Sequence, residues 1–205
     1  MHIIYYSGTV LSNRVNGEDS AYTKTKQGCL ENMQAMSVGG INHLDMIMLD
    51  YPGPNAESVV GQWKAFEEMK AIDKTVDDLA VSNFSPGQLD AILSNPDATK
   101  PTVNQLPFSV ANHPAGMIEY NTKRGILVQS WSPLSRVLPR YGTQLAEIGK
   151  RYGKTAAQVG LRWIVQNGAA FSTQSKSKKH FEEDLDVFDF TLSDDEMAKI
   201  TLLAA

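Results

Sequence analysis

A chain of 205 residues, 42% hydrophobic and 20% charged, with 15 Gly and 9 Pro, has the composition of an ordinary globular protein with room for one real core. Its net charge of −4 argues against a nucleic-acid surface, and no apolar run is long enough to cross a bilayer, so neither a nucleic-acid partner nor an integral membrane protein is expected. The single cysteine, Cys29, excludes an internal disulfide framework and a cysteine-built zinc site, and is expected as a small buried side chain.

Taken in chain order, the N-terminus Met1-His2-Ile3-Ile4-Tyr5-Tyr6 carries no basic region and no cleavage signal, which makes the cytoplasm the default compartment. A mature form that has lost an organellar targeting peptide would read the same way. Residues 10–15 read as a first strand, followed by a helix over 23–38 with Leu30, Met33 and Met36 along one stripe and Gly39-Gly40 as its stop. Residues 44–49 form a short apolar run ended by Asp50-Tyr51-Pro52-Gly53-Pro54, the pattern of a strand buried on both faces. A helix over 58–72 follows, with Val59, Trp63, Phe66, Met69 and Ile72 at spacings of three and four. Leu79-Ala80-Val81 is a third strand, and Ser85 caps a helix with Pro86 at its first position.

Residues 101–105 and 126–130 read as strands four and five, separated by a helix over 116–123. A helix over 143–152 precedes Thr155-Ala156-Ala157-Gln158, which has the form of a capping box and opens a helix carrying Val159, Trp163 and Ile164. A sixth strand over 169–173, a short helix over 178–184 and a final helix opened by the box Ser193 to Glu196 complete the chain. Strand–helix alternation throughout predicts an α/β fold with a parallel sheet, in one domain over residues 1–205. In such folds the chemistry sits at the C-terminal ends of the strands, which directs attention to Asp50.

Several stretches together resemble the aldo-keto reductase family in that family's own order: Leu79 to Leu89, Val103-Asn104-Gln105, Trp131-Ser132-Pro133-Leu134, Tyr152 to Trp163, and Glu183 to Met197. The resemblance implies a TIM-barrel-like (β/α) barrel, NADP(H) across its C-terminal face and hydride transfer to or from a carbonyl or alcohol. The family barrel has eight βα units and this chain supplies about six, with residues 10–15 matching the third strand. An incomplete barrel leaves sheet edges and apolar helix faces uncovered. Three readings follow: the sequence is an N-terminally truncated fragment or an incomplete gene model, a protein partner covers the open side, or residues 1–8 improvise a cover.

The resemblance also implies a tetrad: an Asp and a Tyr from the first two units, a Lys ending the third strand and a His ending the fourth. The Tyr acts as general acid with its pKa lowered by the Lys. The Lys position falls at Arg14 and the His position at Asp50, both substituted. An imidazole donates to a substrate oxygen, whereas an ionised carboxylate only accepts; Asp50 is therefore expected to pair with Arg14 rather than to catalyse.

For the cofactor, Ser82, Asn83 and Gln105 match positions that hold the carboxamide, Trp131 stands at the nicotinamide-stacking position, and Ser132 and Leu134 match contacts to the pyrophosphate. On the adenosine side Gln174 and Ser175 stand at the family's Lys-Ser pair, His180 at its Arg and Asp184 at its adenine-contacting Asn. Two fixed cations for a 2′-phosphate are thus replaced and an acid has arrived, while Lys176, Lys178 and Lys179 form a basic loop expected to be solvated. His43 and His113 match no ligand spacing, and no metal is expected. The departures at Arg14, Asp50, Gln174, His180 and Asp184 lead to the expectation of a degenerate member, a pseudoenzyme retained as a structural or accessory subunit of a larger assembly. The alternative is an NAD(P)H-dependent aldehyde or ketone reductase whose N-terminal part is missing.

Overall fold

The computed structural model describes residues 5–9 and 16–204. The chain divides into two compact units, Met1–Gln105 and Leu106–Ala205. In the first, strands β1 (Tyr5–Thr9), β2 (Leu44–Asp50), β3 (Val76–Ser82) and β4 (Val103–Leu106) alternate with helices α1 (Glu18–Ser37), α2 (Ala56–Ala71) and α3 (Pro86–Leu93). Every neighbouring pair from β1 to β4 is parallel, with each connection made through a helix, as a parallel ladder requires. The strand expected over residues 10–15 lies outside the described residues; the strand that pairs with β2 is Tyr5–Thr9.

Helix α1 begins at Glu18, five residues before its expected start, and its buried face is Ala21, Thr25 and Cys29 rather than Leu30, Met33 and Met36. Leu30 is 53% exposed. The reason is close approach. Small side chains at i, i+4 and i+8 let α1 settle on α2, where Gly61 faces the Glu18 carbonyl so tightly that a Cβ would collide with it. Tyr22 donates its hydroxyl to the Glu68 carboxylate at 2.8 Å, and Lys26 bridges Glu68 and Asp73 at 3.1 and 2.8 Å, so polar contacts flank the same seam. Burial pushes the Cys29 thiol up to about 12, leaving it protonated and inert. Ile72, expected on the apolar stripe of α2, is exposed just past the end of that helix. The core of this unit is Ile47, Leu49, Val59, Trp63, Phe66, Leu79, Val81 and Leu89, all nearly or wholly excluded from solvent. The Asn55 side chain caps α2 by accepting from the Ser58 N–H at 2.9 Å, a start the sequence reading placed two residues later.

In the second unit, α4 (Met117–Lys123), β5 (Leu127–Trp131), α5 (Val137–Gly149), α6 (Ala156–Gln166), β6 (Ala170–Ser172), α7 (Lys178–Leu185) and α8 (Asp194–Thr201) follow one another, and β5 pairs in parallel with β6. The capping boxes expected at Thr155/Gln158 and Ser193/Glu196 are formed. Helix α5 begins at Val137, ahead of the expected 143, and a short 3₁₀ turn then leads to Gly153 at φ 66°, a left-handed position that lets α6 double back along α5. The core gathers around Trp163, whose ring stacks on Phe108 at 5.3 Å between centroids, with Val128, Val159, Ile164, Val187 and Leu192. Among the described residues no helix is long and apolar enough to cross a membrane.

Gly61→Ala is expected to force α1 away from α2 and to cost about 1–3 kcal/mol, the usual range for overpacking, measured as a lower urea midpoint with an unchanged slope. A midpoint equal to that of the parent chain would contradict the close-approach account.

Candidate functional site

Parallel register lines up the strand ends of the first unit. Thr9 pairs with Asp50, Asp50 with Ser82 and Ser82 with Gln105, so four consecutive strands present one row of residues at their C-terminal ends. Three expected site residues, Asp50, Ser82 and Gln105, stand in that row, and Asn83 follows it directly. Asn83 is held at φ 62°, in the left-handed region that Asn tolerates better than most residues. Its N–H donates to the Gln105 carbonyl at 2.9 Å, and its side-chain amide donates to Asp50 Oδ1 at 3.2 Å and Ser82 Oγ at 3.1 Å. The expected partner of Asp50, Arg14, lies outside the described residues. Asp50 acts here as an acceptor, half-buried, on a carboxamide that the turn itself positions.

In the second unit, the other expected residues come together. A cleft of about 880 Å³ is lined by Trp131, Ser132 and Leu134 after β5, by Gln174 and Ser175 after β6, and by His180 and Asp184 on α7. All seven residues expected on the pyrophosphate, stacking and adenosine sides of a dinucleotide thus share one hollow. Trp131 and Ser172 are register partners at the ends of β5 and β6, and Ser132 sits at φ 49°, turning the chain sharply at the strand end. The first turn of α6, Thr155 to Ala157, opens on the same cleft. The first amides of a helix have no partner inside it and point toward positive dipole ends, which suits a phosphate. Ser175 Oγ lies 3.4 Å from His180 Nδ1 and accepts from the Ser177 N–H at 3.0 Å, tying the loop after β6 to α7.

Sequence reasoning did not single out Glu183, Leu138, Pro139 or the α6 first turn as parts of this cleft. The capping box was the one available signal, since it fixes where α6 opens. Lys178 and Lys179 point along α7 to Glu182 and Glu183 at 3.5 and 3.6 Å and stay largely in solvent. Two smaller hollows, of about 540 Å³ beside α4 and 510 Å³ between α1 and α2, contain none of the expected site residues. His43 pairs with Asp77 at 2.9 Å on the surface, and His113 meets the Trp163 ring edge-on at 5.1 Å between centroids. Among the described residues no group of three His, Cys, Asp or Glu could hold a metal ion.

A buried cation supports the wall of the cleft formed by α6. Lys154 reaches Asp186 at 2.7 Å and Asp189 at 2.8 Å, and Gln158 donates to the Asp186 carbonyl at 2.9 Å. The hydrogen bonds to Asp186 and Asp189 hold the Lys154 ammonium above its usual range, and Lys154 holds the Asp186 carboxyl below its own.

The alternation of parallel strands and helices is that of a partial (β/α) barrel, with about six of eight units in the described residues. The sequence profile of the aldo/keto reductase family matches residues 7–205, and the chain belongs to that family. Glyoxal reductase of Bacillus subtilis is 28% identical over 193 residues, covering 94% of this chain and 67% of that protein. The aldo-keto reductase MGS-M4 from a Medee basin deep-sea metagenome library superimposes with a TM-score of 0.83 at 22% identity, over 98% of this chain and 70% of that one. A Gox0644 variant solved in complex with NADPH gives 0.81 at 26% identity, again over 98% and 70%. The chain spans about two thirds of the length of the curated relatives it matches.

Two predictions follow from the geometry. Asn83→Ala removes both side-chain hydrogen bonds and leaves a Cβ in the left-handed region, with an expected loss on the order of 1–3 kcal/mol in urea unfolding; Asn83→Gly recovers the backbone share of that loss. For the Lys154 clamp, a lowered carboxyl stabilises above the ordinary carboxylate value and loses its effect as pH falls through its folded value, while a raised ammonium loses its effect as pH rises through its own. The clamp is therefore complete between about pH 4 and pH 10. Lys154→Met is expected to lower the thermal midpoint at neutral pH and to flatten its acid-side fall below about pH 4; an unchanged acid limb would contradict the assignment.

Proposed function

We propose that this chain carries the nucleotide-binding part of an NAD(P)H-dependent carbonyl reductase acting on an aldehyde or ketone. The observation that carries the proposal is the convergence of Trp131, Ser132, Leu134, Gln174, Ser175, His180 and Asp184 on one cleft. Reduced nicotinamide, when bound, supplies a hydride. In the cleft of the second unit, Trp131 offers a half-exposed ring face for stacking and the α6 first turn suits phosphate. Similarity to proteins named as reductases supports the same reading.

A second reading keeps the fold without the chemistry: a non-catalytic subunit whose protein partner covers the open side of the barrel. Asp50 favours it. An ionised carboxylate that accepts from Asn83 is poorly suited to stabilise a developing oxyanion, because it repels the charge that an imidazole would meet with a donor.

The two readings separate in one series of measurements on the purified chain. Binding of NADH or NADPH, seen as quenching of tryptophan fluorescence, together with oxidation of the bound reduced nucleotide on adding a panel of aldehydes, is the expected outcome for a reductase. Nucleotide binding without turnover, with Asp50→His restoring none, would favour the accessory reading. No nucleotide binding by a cooperatively folded chain would overturn the proposal.

A further inference from the structure

The charged lining of the 880 Å³ cleft has a composition that bears on which nucleotide it accepts. Its fixed charges are the carboxylates of Glu183 and Asp184, and His180 is its one basic side chain; no lysine or arginine lines it among the described residues. Lys178 and Lys179 lie against Glu182 and Glu183 along α7 at 3.5 and 3.6 Å, so Glu183 is partly offset while neither lysine lines the cleft. Asp184 is 8% exposed and lines the cleft. A carboxylate in a cleft wall accepts a charge-assisted hydrogen bond from a ligand that brings an O–H or N–H to it.

Adenosine carries such donors on its ribose hydroxyls and its exocyclic amine. A 2′-phosphate carries none when ionised and adds close to two negative charges, which need cations or several N–H groups to hold them. In dinucleotide sites generally, an acid near the ribose goes with a free 2′-hydroxyl and an arginine with a 2′-phosphate. We propose that this cleft selects a dinucleotide with a free adenosine 2′-hydroxyl, NAD(H), over its 2′-phosphorylated counterpart, NADP(H), with Asp184 and Glu183 as the selecting residues. The proposal rests on the nucleotide-binding reading given above. It sets this chain apart from the Gox0644 variant, which was solved with NADPH.

The test is titration of the purified chain with NADH and NADPH, followed through the fluorescence of Trp131 at the cleft rim, and with ADP-ribose and its 2′-phosphate by calorimetry. NADH and ADP-ribose are expected to bind about tenfold to a hundredfold more tightly than their phosphorylated forms, the worth of one or two charge-assisted hydrogen bonds. Asp184→Asn, which keeps the shape, and Glu183→Gln, at a less buried site, are each expected to narrow that ratio. The double change His180→Arg with Glu183→Lys is expected to reverse it. Equal or tighter binding of NADPH by the parent chain would overturn the inference and leave the nucleotide reading standing. Failure of all four ligands to bind a cooperatively folded chain would overturn both.

Discussion

Parallel strand register is the constraint on which the rest depends. A parallel ladder fixes each residue against its neighbour at one spacing, so a one-residue slip would move every side chain to the opposite face. Because β1 to β4 keep their register, residues at their C-terminal ends form a row, and Asp50, Ser82 and Gln105 are neighbours without any direct bond being needed to assemble them. The same holds for Trp131 and Ser172 at the ends of β5 and β6. Burial of strand side chains keeps register: Ile47, Leu49, Leu79 and Val81 are excluded from solvent and would change faces on a slip.

Much of this arrangement was legible in the residues. Capping boxes at Thr155 and Ser193 and the Ser85-Pro86 start name helix beginnings by a local hydrogen-bonding mechanism, and all three helices begin there. Strands β2 and β3 were visible as apolar runs because both their faces are buried. Less readable was α1. Its contact face is made of Ala21, Thr25 and Cys29, which carry little hydrophobic signal, and the strongly apolar Leu30 lies in solvent. Close helix packing selects for small size, and small size is nearly silent in a hydrophobicity pattern. Strand β1, Tyr-Tyr-Ser-Gly-Thr, lacks an aliphatic run altogether.

The candidate site divides in the same manner. Resemblance to a family could place Asp184 and His180 at nucleotide positions, and the cleft brings them together. It could not say that Asp184 would be largely buried, or that Lys178 and Lys179 would lie along their own helix, because burial and side-chain direction depend on packing rather than on the order of residues. Asp50 shows the reverse case. Its chemical type was informative from the start, while its partner, the Asn83 carboxamide, became visible only through the turn that carries it.

That turn has two companions. Tyr51, Asn83 and Ser132 each follow the last residue of a strand directly, and each holds a positive φ, at 63°, 62° and 49°. Such conformations cost of order 1–3 kcal/mol apiece and persist only where the surroundings impose them. The consequence is a limit on substitution. At these three positions Gly, Asn or Asp would hold the turn with least strain and a β-branched residue would undo it, so the strand ends tolerate fewer substitutions than their exposure alone would suggest.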